Sequence, residues 1–170
     1  MPATYEPIST VTLGSAASTI TFSSIPNTYT DLRLVVVATA SSGTNNAVFN
    51  LRFNSDTGSN YSSTYLHGDG SSAVSTRLTN ETYIPMTQST GFGLTTANPS
   101  ILEADIFSYA GSTNKSVLYT QSNDKNGSGS VAKGVGLWRS TSAITSVSIY
   151  TYNFQYAAGT TATLYGIKSF

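Results

Sequence analysis

The sequence predicts an all-β fold, a single-domain antiparallel β-sandwich or jelly roll over residues 1–170, and three observations predict it. Apolar residues recur with a period of two, the spacing that sends alternate side chains to opposite faces of a strand. Short clusters of Gly, Pro, Asn, Asp and Ser interrupt that pattern again and again, as turns do between short strands. No window carries helical spacing, and fourteen glycines weigh against long helices. Serine and threonine supply 53 of the 170 residues, which suits strands with one hydroxyl-bearing face.

Residues 9–13 and 18–22 read as short strands before the turn at Ile25-Pro26-Asn27. Residues 32–38 are apolar on both faces, so this strand is expected to be central, covered on each side, and the spine of the sheet. After the turn at residues 41–46, residues 47–54 have apolar odd positions and mostly polar even ones, placing Phe49, Leu51 and Phe53 in the core. Residues 63–67 form a strand that runs into Gly68-Asp69-Gly70. Residues 102–106 alternate again, with Leu102, Ala104 and Ile106 inward and Glu103 and Asp105 outward. Strands follow at 117–121, 132–138 and 146–151, the last with Val147 and Ile149 inward, separated by turns at Ala110-Gly111 and 123–127. The final strand, 161–168, puts Leu164 on one face and Tyr165 and Ile167 on the other if it is regular, or marks a bulge at Gly166.

Length and charge bound the function. A chain of 170 residues suffices for one core, since a domain of this size hides roughly 70% of its unfolded surface. Eight basic and eight acidic residues cancel and are scattered, so no patch is set against a run of phosphates and no nucleic-acid partner is expected. The longest apolar run, residues 34–38, falls far short of the ~20 residues that cross a bilayer. No membrane partner is expected. Residues 1–6 lack a basic segment followed by an apolar core, so no secretory signal is read and the chain is expected to be made in a cytoplasm, while the lack of cysteine lets it tolerate any redox compartment afterwards.

Catalytic resources are sparse. There is no cysteine, and His67 is the one imidazole available to activate a nucleophile. It is expected as a surface or turn histidine. Glu103 and Asp105 share a strand face roughly 7 Å apart, but two adjacent outward carboxylates are the ordinary pattern of a solvated face, available to an arginine of a neighbouring subunit. Residues 54–60 have the alternating oxygens of a calcium loop without its terminal glutamate, so a turn closed by Asn and Asp side chains is the better reading. No catalytic residue, metal or cofactor is assigned. Asn60, Asn80, Asn114 and Asn126 open glycosylation-type triplets that the composition alone explains. Binding capacity lies in eleven tyrosines and one tryptophan. Tyr150, Tyr152, Phe154 and Tyr156 alternate along one predicted face, which is either covered by a second layer or exposed; if exposed, Tyr150, Tyr152 and Tyr156, with Trp138, are the candidates for an interface or for stacking on sugar rings.

Four segments carry a resemblance. Thr4-Tyr5-Glu6-Pro7-Ile8, residues 24–34 (Ser-Ile-Pro-Asn-Thr-Tyr-Thr-Asp-Leu-Arg-Leu), residues 52–61 (Arg-Phe-Asn-Ser-Asp-Thr-Gly-Ser-Asn-Tyr) and residues 158–168 (Ala-Gly-Thr-Thr-Ala-Thr-Leu-Tyr-Gly-Ile-Lys) resemble small virion structural proteins of tailed bacteriophages, notably those infecting cyanobacteria and marine bacteria. The resemblance implies a non-enzymatic particle component located in the virion, with the major capsid protein or other virion proteins as partners. Its favoured form is a head decoration or cement protein bridging capsid subunits, self-associated as a homotrimer. A tail-fibre or receptor-binding module that binds host surface carbohydrate is the alternative, and an autonomous hydrolase has little to support it.

Overall fold

A computed structural model describes residues 4–42, 48–86, 94–152 and 154–168. Among them the chain forms β1 (Tyr5–Thr12), β2 (Thr19–Phe22), β3 (Asp31–Ala38), β4 (Asn50–Phe53), β5 (Tyr61–Gly68), β6 (Ala73–Glu81), β7 (Ile84–Pro85), β8 (Ser100–Phe107), β9 (Lys115–Asp124), β10 (Gly129–Trp138), β11 (Val147–Tyr150) and β12 (Thr161–Ile167). No helix occurs among the described residues. The strands pair antiparallel in two sheets, one ordered β1-β12-β3-β8-β9-β10-β5-β6 and the other β2-β11-β4-β7. The protein is an all-β sandwich.

Alternation builds the core. Leu32, Leu34 and Val36 of β3, Leu102, Ala104 and Ile106 of β8, and Leu164 of β12 line the inner face of the large sheet and are fully buried. Facing them, Ile20, Phe22, Leu51, Phe53, Val147 and Ile149 project from the small sheet into the same cluster. Each such aliphatic or aromatic side chain contributes about 1.5–3 kcal/mol by leaving water. The strand expected at 47–54 is observed over the shorter span of β4, with Leu51 and Phe53 inward and Phe49 buried just ahead of it; Ala47 and residues 43–46 of the preceding turn lie outside the described residues, as do Ser169 and Phe170.

Glycine makes room where rings must cross the sheet. A Cβ on Gly134 of β10 would lie 2.4 Å from the Tyr119 ring and 2.7 Å from the Cβ of Tyr65. Gly166 plays the same part under Tyr29, whose ring would sit 2.3 Å from an added Cβ. Gly166 is thus a packing gap in a strand that stays in register, and the bulge falls in β1, between Pro7 and Ser9. Beside it, Lys168 Nζ donates to both Glu6 oxygens at 3.0 and 3.1 Å, and the Tyr29 hydroxyl donates to Oε2 at 3.2 Å. That clasp joins the first and last strands; the Lys168 ammonium first of all holds the Glu6 carboxyl below its usual range.

Two expectations are corrected. β3 is interior to the sheet, between β12 and β8, but it is covered on one face only: Val35 is half-buried and Val37 is 39% exposed. Valine favours strands on either face, so an all-apolar strand does not by itself report a covering layer. Secondly, the run 150–156 is not one strand. β11 ends at Tyr150, and the Thr151 hydroxyl donates to the Phe154 carbonyl at 2.7 Å, closing a turn that breaks the period of two.

Candidate functional site

The small sheet's outer face carries an aromatic cluster. On β11 the inward Val147 and Ile149 leave Ser148 and Tyr150 facing outward, and on β4 Arg52, paired with Ser148, faces the same way. Arg52 Nη2 donates to the Tyr150 hydroxyl at 2.9 Å, its guanidinium carbon lies 4.7 Å from the Tyr150 ring centre, and Nε donates to the Thr82 carbonyl at 3.2 Å. Tyr83, from the link between β6 and β7, completes a triangle with Tyr150 and Tyr152. Its edges are 5.8, 5.5 and 5.4 Å between ring centres, all edge-on, the arrangement aromatic quadrupoles favour.

Exposure divides the labour within this triad. Tyr150 is 8% exposed and Tyr152 is 49% exposed. Burial above all, then its hydrogen bond with Tyr152, pushes the Tyr150 hydroxyl far above its ordinary pKa, so it stays a neutral donor. Tyr152 is held from behind and presents its ring outward. Next to it opens a hollow of about 460 Å³ lined by Ser18, Ser41, Ser42, Gln155 and the rings of Tyr152 and Phe154. Fixed ring faces, hydroxyls, an amide and a guanidinium can recognise a surface or a polyhydroxylated ligand. They contain no nucleophile–base pair.

The other predicted residues lie elsewhere. Trp138, 2% exposed, is a core pin: it stacks on Tyr61 at 6.2 Å and tilts against Phe53 at 5.6 Å. Its indole Nε1 donates to Asp56 Oδ2 at 2.7 Å. Tyr156 is fully buried, stacked on Phe49 at 5.9 Å and bridged to Ala17 and Ala40. Neither can stack on an external ligand. Phe154 is half-buried against the core. Of the four sequence candidates only Tyr150 and Tyr152 come together, and sequence reasoning missed Tyr83 and Arg52.

The loop at 54–60 is the Asn/Asp turn that the sequence favoured. Asp56 Oδ1 accepts the Gly58 N–H at 2.8 Å, and Oδ2 accepts Asn60 Nδ2 at 3.0 Å besides Trp138. Partial burial raises the Asp56 pKa, but these donors outweigh it and the carboxyl is held below its ordinary value. Glu103 and Asp105 do meet an arginine, but it is Arg33 of the adjacent strand in the same chain, at 3.0 and 3.6 Å. His67 is not a surface or turn residue: it is 8% exposed on the inner face of β5, its ring tilted 6.1 Å from Tyr65. No group of three or more His, Cys, Asp or Glu side chains converges among the described residues.

A second surface is the outer face of the large sheet. Leu66, Val131, Val135, Ile101, Phe107 and Leu118 stand there between 40% and 63% exposed. Serines and threonines fill the positions between them.

No family model matches the chain, and no curated protein matches it. Among solved structures, a bifunctional GH43-CE protein of Bacteroides eggerthii is similar over 82% of this chain and 18% of its own length, at 9% identity and a TM-score of 0.32. At that score the likeness carries no argument.

Proposed function

We propose that this chain is a non-enzymatic structural subunit of a tailed-bacteriophage virion, an exterior decoration protein that bridges capsid subunits. The observation that carries this reading is the Tyr83–Tyr150–Tyr152 triangle backed by Arg52. Tyrosine and arginine dominate the energetically decisive centres of protein interfaces, and here their rotamers are fixed before any partner arrives. The sequence resemblance supplies the particle, with the major capsid protein as partner and self-association, as a trimer on that resemblance, as the assembled form. A bridging subunit adds its own interfaces to those that disassembly must break.

The test is a binding measurement with Tyr152→Ala and Tyr83→Ala on particles stripped of the protein, alongside the copy number per virion. Loss of at least about tenfold in affinity, equal to about 1.4 kcal/mol, with hundreds of copies per particle supports decoration. A few dozen copies or fewer would move the protein to the tail.

The hydroxyl-lined hollow beside Tyr152 favours a second reading, a carbohydrate-binding module of a tail fibre. Sugar rings stack on an exposed tyrosine while Ser41, Ser42 and Gln155 meet their hydroxyls. Specific binding on a glycan array, abolished by Tyr152→Ala, is its signature.

A further inference from the structure

We propose that the outer face of the large sheet pairs two copies of this chain about a two-fold axis running along β9. This goes beyond the virion reading and does not rest on it.

The face exposes several large apolar side chains. Leu66 is 63% exposed, Val131 53% and Val135 49%, set among serines, threonines and single charged residues of the same face. At the β1 edge, edge-to-edge growth is obstructed by Pro7, which has no N–H to donate, and by the bulge beside it.

Charge and register select the partner and the axis. One cross-strand row reads Val35, Glu103, Thr120, Lys133, Leu66 on β3, β8, β9, β10 and β5. A two-fold along β9 lays β10 of one copy over β8 of the other, and β5 over β3. Lys133 then faces Glu103, and Leu66 faces Val35. In neighbouring rows Val131 faces Ile101, Leu137 faces Phe107, and Leu118 meets its own counterpart at the axis. An axis perpendicular to the strands would instead set each strand on itself and lay β8, with Glu103 and Asp105, over its own copy. In the first arrangement Lys133 of β10 meets Glu103 of the acidic strand β8 twice, once on each side of the axis, while Arg77 of β6 lies over β12 and Val135 over Asp105.

The area suffices. Seven strands overlap, from β12 to β6, about 34 Å across at ~4.8 Å per strand, and four outward rows span about 26 Å. That gives on the order of 900 Å² per copy, against about 800 Å² per partner in a stable complex.

Light scattering on the purified full chain tests the proposal. The wild type should have twice the 17.9 kDa chain mass. Lys133→Glu alone and Glu103→Lys alone should each weaken pairing at least about tenfold, and an equimolar mixture of the two should restore it, because both cross-copy contacts become opposite in sign. Leu118→Glu, which sets two carboxylates against each other at the axis, should give folded monomers with the β-rich far-ultraviolet spectrum of the wild type. A monomeric or trimeric wild type, variants that pair as before, or a mixture that fails to recover overturns the proposal. The two-fold pair stands in place of the trimer that the resemblance implies: a dimer that ignores virus particles would count against the particle role and not against this proposal, and a particle-binding protein that is monomeric or trimeric in solution against this proposal and not against the particle role.

Discussion

Asp56 shows how far one carboxylate reaches. It closes its own turn through Gly58 and Asn60 and holds the indole of Trp138, which in turn packs on Tyr61 and Phe53. The sign of its pH dependence follows from its depressed pKa. In the unfolded chain it titrates near 3.8, so the stability it confers is whole above that value and disappears as pH falls through the lower folded-state pKa. Asp56→Ala should lower unfolding free energy by about 1–3 kcal/mol at neutral pH, the cost of a buried donor left without an acceptor. Urea titrations of both proteins, followed by Trp138 fluorescence, should show the gap constant above pH ~5 and shrinking at lower pH. A gap that widens in acid would contradict the arrangement.

Among elements, the strands whose inward residues are Leu, Ile, Val or Phe were legible because burial and period two coincide in β3, β4, β8, β11 and β12. β6 was not, since an edge strand with residues exposed or half-buried throughout leaves no apolar stripe. β7, two residues long, shows no period at all. Half of the tyrosine site was legible for a similar reason: Tyr150 and Tyr152 are close in sequence, but Arg52 reaches Tyr150 across 98 positions, and only strand order brings them together. Trp138 and Tyr156 misled because an aromatic residue signals area, not which side of the sheet receives it. β12 gives the sharpest element-scale expectation. Leu164 is fully buried between β1 and β3, so Leu164→Ala should cost about 2–5 kcal/mol of a typical 5–15 kcal/mol, measured as a shift in the urea midpoint. Deleting residues 164–170 should abolish folding, and a truncated chain that stays folded would show the last strand to be peripheral.

Across the whole molecule, the oxygens that resemble a calcium loop are already engaged by Gly58, Asn60 and Trp138. Thermal unfolding with and without a chelator should therefore agree within the roughly 2–4 °C that corresponds to 1 kcal/mol in a chain this long. A larger drop would reveal a structural ion. On the proposed pairing, the outer side of the eight-stranded sheet meets a like surface, while the tyrosine triad on the small sheet stays available for a different partner.

The pairing of β1 with β12 also has a consequence in time. Tyr5 lies opposite Ile167, and β12 is the neighbour that separates β1 from β3. During synthesis the earliest strand has no place in the sheet until the latest one leaves the ribosome, and the inner face of β3 cannot be sealed at that edge before then. Such distant closure is slow compared with local hairpins, on the millisecond-to-second scale of sandwich proteins. Until β12 is made, the nascent chain must keep its valines and leucines from meeting those of its neighbours.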